Sequence, residues 1–272
     1  MTDLALRHEP LTDSFTQPTS PEEWKCFQLS EDQIRHFQEQ GYVSGIRLLD
    51  DAQIDALRDE LSEMIDPHHD GHELFYEYHS NESDNADTVL FHALGAWRVR
   101  NAFHDVLWNP AFLLPAYQLL GKRFRLFHDQ LFSKPAQHGG VVAWHQDFSY
   151  WTWTQPMAHL TCWIGLDDAT EENGCLHYGL GSHREPVLAH TAPEDALFNL
   201  QVPAEVAAKY PMTPAPVPRG GVSIHHGNTL HQSSSNRSDH PRRAVTFHFL
   251  QNKSQLVNPA LEYDPTHSVR IS

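Results

Sequence analysis

The chain has 272 residues, with 19 lysines and arginines against 35 aspartates and glutamates, giving a formal net charge of −16. That balance argues against nucleic acid or an anionic membrane surface as a partner, because both reward basic patches that release counterions. The length supports a sizeable core, and the three cysteines, Cys26, Cys162 and Cys175, form no paired motif; 21 histidines favour metal chemistry without selecting any one imidazole.

Residues 1–25 are polar and proline-punctuated and are expected to form a flexible N-terminal segment, leaving 26–272 as a single domain. No apolar h-region opens the chain, no stretch nears the ~20 apolar residues that cross a bilayer, and the C-terminal "SVRIS" is not an S-K-L address. The expectation is a soluble, cytoplasmic protein. In "LSEDQIRHFQEQGYV", Ser30 and Gln33 have capping-box spacing, Ile34 and Phe37 share a face, and Gly41 ends a short helix. A second helix follows in "DDAQIDALRDELSEMI", with Ile54, Leu57, Leu61 and Met64 on one side. The polar, histidine-rich stretch 66–90 is predicted to be a long surface loop, in which His68, His69 and His72 with Asp66 and Asp70 read as solvated rather than as ligands. Next comes a helix capped by Asn109 and Pro110 and stopped by Gly121, with Pro115 expected to kink or split it.

From Phe124 the pattern changes to short strands: "FRLFHDQLFSK", "VVAWHQDFSYW", "AHLTCWIGLDD", "GCLHYGL", "GVSIHH" and "RRAVTFHFL". A helical front followed by many strands predicts an α+β protein around an antiparallel sandwich or jelly roll. Within "WHQDFSYW", His145 and Asp147 stand two residues apart, so on an extended chain they face one way and offer two adjacent ligands for a divalent cation. Continuing that strand would send Trp151 and Trp153 to the ligand side and Phe148 and Tyr150 to the other.

A third ligand must come from elsewhere. The segment "HHGNTLHQSSSNRSDHPRRAVTFHF" reads as a hairpin turning on Asn236 and Arg237, which would set His231 opposite Arg242 on one face and His226 opposite Phe247. A metal ligand beside a guanidinium could hold a small dicarboxylate such as 2-oxoglutarate, one end on the ion and the other forked onto the arginine. His225 shares parity with His231 and stays an alternative.

"WHQDFSYW", "LTCWIGLDDATEENGCLHYGLGSHR" and "LHQSSSNRSDHPRRAV", together with the helix end "FQEQGYV", resemble the phytanoyl-CoA dioxygenase family of Fe(II)- and 2-oxoglutarate-dependent oxygenases, from about Leu29 to about Leu250. The resemblance implies a double-stranded β-helix (cupin-like jelly roll) core over about 122–252, with the N-terminal helices packed on one sheet. It further implies iron held by His145, Asp147 and His231, the far carboxylate of 2-oxoglutarate on Arg242, and Gln130, Trp163 and Ser233 beside the cosubstrate. The implied reaction spends O2 and 2-oxoglutarate, releases succinate and CO2, and hydroxylates an unactivated C–H of a small-molecule substrate. Related halogenases leave out the carboxylate that Asp147 supplies here. Two positions depart from the family pattern: Gln232 replaces the usual glycine after the distal histidine, and Leu180 replaces the proline before G-S-H, where His183 reads as structural. The alternative is a cupin-like metal-binding protein without redox chemistry. The stretches 66–90 and 185–215 are candidate lids.

Overall fold

The computed structural model describes residues 2–83, 87–191, 200–256 and 270–271. Its helices are α1 (Pro21–Lys25), α2 (Glu31–Gln40), α3 (Asp51–Met64), α4 (Asn101–Asp105), α5 (Pro110–Leu120) and α6 (Ala204–Ala207). Both main N-terminal helices begin where the chain supplies a reciprocal cap: Ser30 with Gln33 for α2, and Asp50 with Gln53 for α3. α2 ends at Gly41, whose φ of 88° suits a residue without Cβ. α5 runs on through Pro115 and is not split there. No helix among the described residues is long and apolar enough to cross a membrane.

The strands are β1 (Tyr42–Arg47), β2 (Glu77–His79), β3 (Phe91–Leu94), β4 (Phe124–Lys134), β5 (Val142–His145), β6 (Thr154–Gln155), β7 (His159–Gly165), β8 (Leu176–Gly179), β9 (Met212–Ala215), β10 (Gly221–His226), β11 (His231–Ser233), β12 (Arg242–Gln251), β13 (Gln255–Leu256) and β14 (Arg270–Ile271). A large antiparallel sheet runs in the order β1-β10-β7-β12-β4-β3-β2, with β14 also on β4. A smaller antiparallel sheet runs β5-β11-β8-β9, and β13 pairs β6.

Period-two alternation divides the chemistry of the large sheet between its faces. Leu160, Cys162 and Ile164 of β7 and Val245, Phe247 and Phe249 of β12 share one apolar cluster with Phe37, Ile54, Leu57, Leu61, Phe103 and Leu107 of the helical layer. Residues of the opposite parity on the same strands, Thr161, Trp163, Arg242, Thr246 and His248, line a cavity on the other face. In β4 the register slips where His248 pairs His128 but Phe249 pairs Leu126, leaving Phe127 as an extra residue. Phe127 and His128 therefore both reach the cavity, while Leu126 and Leu131 stay in the helix-side core.

Two expectations change. The N-terminal segment, expected to be flexible, is packed on the domain: Phe15 is buried, and Asp105 accepts the N–H groups of Leu11 and Thr12 at 2.8 and 2.7 Å. Composition missed this because the anchor, Asp105, lies 93 residues away. The 66–90 stretch is not all loop, since it carries β2 as an edge strand, with Tyr78 donating to Ile65 O at 2.8 Å. The 185–215 stretch contains α6 and β9. Of the two candidate lids, residues 84–86 and 192–199 lie outside the described residues.

Several histidines are buried neutral. His159, packed on Phe127, Phe148 and Trp151, is pushed down by burial to about 3, and burial lowers His128 to about 4. Unfolded imidazoles near 6.5 take up protons that these refuse, so the unfolded state gains as pH falls below that value. The melting temperature is expected to drop between about pH 7.5 and about pH 5, and to drop less in His159→Phe. A midpoint independent of pH over that interval contradicts this.

Candidate active site

β11 lies between β5 and β8, and its register sets His231 directly opposite His145 on one side and Tyr178 on the other. The two imidazoles share a face, with ring centroids 4.1 Å apart. β5 ends at His145, Gln146 is still extended, and Asp147 opens a 3-10 turn over Asp147–Tyr150. His145 and Asp147 therefore flank one extended residue and point the same way, while Gln146 turns aside to bond Asn228 O at 2.8 Å and Leu188 N at 2.7 Å.

Asp147 Oδ1 lies 3.5 Å from the Nε2 of His145 and 3.5 Å from that of His231. Among the described residues these three form the one group of at least three histidine, cysteine or acidic side chains with metal-ligand spacing, their ligand atoms all within 4.8 Å of one another. Ligands about 2 Å from a shared cation keep such separations. The Nδ1–H of His145 donates to Ala143 O at 2.8 Å and that of His231 to Thr229 O at 2.9 Å. Each ring thus turns a bare Nε2 lone pair inward, the tautomer a metal needs. Burial, reinforced by His145, holds His231 well below the usual imidazole range. Burial alone would raise the Asp147 carboxyl, but His231, His145 and His225 outweigh it and hold the group well below the usual carboxylate range.

A further shell stands behind the carboxylate. Asp147 Oδ2 accepts from Thr161 Oγ1 at 2.6 Å and from His225 Nε2 at 3.0 Å. His225 Nδ1 meets the Tyr178 hydroxyl at 2.9 Å, and Tyr178 stacks on Tyr42. Thr161 also meets His248 Nδ1 at 3.0 Å, and His248 Nε2 meets the Gln130 amide at 2.8 Å. His225, the alternative third ligand, sits behind Asp147 instead.

Two basic side chains are buried around Ser233: Arg242 lines the cavity, and burial beside Arg242 pushes Lys134 well below the usual lysine range. Arg242 is 1% exposed, bonds Ser233 Oγ at 2.8 Å through Nη2, and lies with its guanidinium carbon 5.4 Å from the Trp163 ring centre. Among the described residues its Nε has no hydrogen-bond partner. Burial lowers it to about 10, so it stays charged at neutral pH. Lys134 is fully buried and gives its hydrogens to Ser233 O, Ser233 Oγ and Ser234 O at 3.1, 2.7 and 2.7 Å. The Ser233 hydroxyl donates to Gly174 O at 2.9 Å, so toward Lys134 and Arg242 it only accepts and has no hydrogen left to give.

The hairpin reasoning is corrected here. His231 does not pair with Arg242, nor His226 with Phe247. Residues 234–241 cross from the small sheet to the large one, where Arg242 pairs Lys134 and Phe247 pairs Cys162 and Asp129. Asn236 secures the crossing by donating to Lys134 O, Pro135 O and His240 O. His231 and Arg242 still line one cavity of about 610 Å³, together with His145, Asp147, Gln130, Trp163 and Ser233. The aromatic alternation is corrected too: the 3-10 turn ends the strand, and Tyr150, Trp151 and Trp153 all line the cavity. Gln232 also lines it, whereas His183 is not part of its lining and bonds Gln38 O at 3.1 Å.

A family model for phytanoyl-CoA dioxygenase (PhyH) matches residues 37–244. Phytanoyl-CoA dioxygenase domain-containing protein 1 of Danio rerio is 26% identical over 273 residues, covering 85% of this chain and 93% of that protein. Its Mus musculus namesake is 36% identical over 143 residues, 50% of this chain and 48% of that one. Among solved structures, the non-heme alpha ketoglutarate dependent carbocyclase SnoK from nogalamycin biosynthesis superposes with a TM-score of 0.73 at 22% identity, covering 94% of this chain and 100% of that one. EvdO2 from Micromonospora carbonacea var. aurantiaca, complexed with 2-oxoglutarate, gives 0.63 at 22%, covering 88% and 96%. At such identities the structural likeness is one of fold. Fold, donor set and family agree on an oxygenase that uses Fe(II), 2-oxoglutarate and O2. The chain belongs to the phytanoyl-CoA dioxygenase family.

Gly41 ties the helical layer to this site: its carbonyl accepts Thr229 Oγ1 at 2.7 Å, and Thr229 O in turn holds His231. A Cβ on Gly41 would come within 2.6 Å of His183 Nδ1 and 2.7 Å of Thr229 Oγ1. Gly41→Ala is expected to cost about 1–2 kcal/mol for its left-handed backbone alone and to weaken metal binding as well. Urea unfolding and metal titration that both match the unsubstituted protein would contradict this.

Proposed function

We propose that this protein hydroxylates an unactivated C–H bond of a small-molecule substrate, with His145, Asp147 and His231 holding Fe(II) and Arg242 receiving the far carboxylate of 2-oxoglutarate. The two antiparallel sheets around the cavity are read as the halves of a double-stranded β-helix. The observation that carries the reading is Arg242, a buried cation with an unpartnered Nε and no ion pair with a described carboxylate, lining the same cavity as three inward-facing metal-type donors. An uncompensated charge in a protein interior costs several kcal/mol, so such an arrangement calls for an anion.

Iron bound there supplies the oxidising chemistry, in which 2-oxoglutarate and O2 become succinate and CO2 and one oxygen atom goes to the substrate carbon. The chain's own residues position the reactants and exclude water. Asp147 offsets part of the cation's charge and the two histidines present fixed lone pairs. Arg242, oriented by Ser233 and stacked near Trp163, forks onto the far carboxylate and thereby fixes the cosubstrate's orientation. Gln130 stands beside that compartment. Phe127, Phe132, Tyr150, Trp151 and Trp153 give the remaining wall an apolar, aromatic character suited to a free small molecule.

Anaerobic addition of Fe(II) and 2-oxoglutarate is expected to give a visible charge-transfer absorption that needs both components. In Arg242→Leu the 2-oxoglutarate concentration that half-saturates this band should rise at least about tenfold, with metal affinity little changed. No band in the unsubstituted protein, or an unchanged half-saturation in the variant, would overturn the assignment.

A further inference from the structure

We propose that Thr161 and His225 are positioning residues that fix which oxygen of Asp147 is presented to the cation, each backed by a second hydrogen-bonding group. The inference rests on the metal-binding reading above and assigns roles to residues that this reading leaves unused.

The argument is a count of hydrogens. A carboxylate that holds a cation carries no proton, so Oδ2 can only accept. His225 Nε2, 3.0 Å away, must therefore carry the hydrogen, and its Nδ1 is left to accept from the Tyr178 hydroxyl at 2.9 Å. That hydroxyl also meets Ser223 Oγ at 2.8 Å, and its ring is fully buried against Tyr42. The other tautomer would set a bare Nε2 against the carboxylate and lose the bond to Asp147, even though the Tyr178 hydroxyl could then accept from Nδ1 and donate to Ser223.

Thr161 is constrained in the same way from the other side. Its single hydrogen goes to Asp147 Oδ2 at 2.6 Å, so toward His248 Nδ1 its oxygen can only accept. His248 then bears its hydrogen on Nδ1. Buried beside His128 and Trp151, it lies well below the usual imidazole range and is neutral, which leaves Nε2 as an acceptor. The structure sets Gln130 Oε1 2.8 Å from that nitrogen, a contact between two acceptors that is relieved when the amide flips to present its N–H to His248. Two donors therefore converge on Oδ2, and Oδ1 alone faces the histidine nitrogens. Gln130, two residues removed from the carboxylate, closes the chain.

Cobalt(II) titration of the metal-free full chain, followed by absorbance, tests this. Thr161→Val and His225→Leu are expected to weaken Co(II) binding by roughly 10- to 100-fold and to shift the visible bands. Thr161→Ser and His225→Gln, which keep a donor, should restore most of the affinity and the spectrum. Should His225→Leu fail to fold, the near-isosteric Thr161→Val decides. Unchanged affinity and spectrum in Thr161→Val overturn the proposal. So does equal loss in the Val and Ser variants, which would mark a packing role only. If Asp147→Ala binds Co(II) as tightly as the unsubstituted protein, the metal-site reading itself fails, independently of the clamp.

Discussion

A carboxylate and two imidazoles crowd one largely buried space with little access to solvent, and the surrounding architecture answers that constraint. The far side of each group is already committed: His145 and His231 to backbone carbonyls two residues earlier in the chain, Asp147 to Thr161 and His225. What remains uncommitted is two lone pairs and one carboxylate oxygen facing one point. A cation there removes the cost of burial that the three groups would otherwise bear. The same logic runs in reverse at Arg242, whose buried guanidinium calls for an anion.

The large sheet makes both environments from one set of strands. Its outer rows bury leucine, isoleucine, valine and phenylalanine under the helices, and its inner rows carry arginine, threonine, tryptophan and histidine. A one-residue slip in β12 or β7 would exchange the two and destroy both core and site together. Register is thus protected by the packing of the helical layer. The extra residue at Phe127 shows the same rule used locally, adding one aromatic group to the cavity without displacing Leu126 or Leu131 from the core.

Much of this was legible in the sequence. Caps at Ser30 and Asn109, the strands from Phe124 onward and the pair His145 and Asp147 are local signals, and the structure bears them out as placed. The hairpin that would set His231 opposite Arg242 does not form; strands of two different sheets carry them to one cavity instead, with His145 as a cross-strand partner of His231. Direct opposition on one face was the right principle applied to the wrong strand. Thr161, His225, Tyr178 and His248 had no local signature, because each matters through a partner between 14 and 118 positions away. The packed N-terminal segment was hidden for the same reason.

The central claim is that one cation and one dicarboxylate fit between two facing sheets on residues drawn from β5, β11 and β12. Anomalous diffraction at the iron edge, from crystals grown without oxygen in Fe(II) and 2-oxoglutarate, addresses it most directly. The account requires a single strong peak bounded by His145 Nε2, Asp147 Oδ1 and His231 Nε2, with cosubstrate density ending on the Arg242 guanidinium. A peak elsewhere, or a cosubstrate that leaves Arg242 untouched, would contradict it.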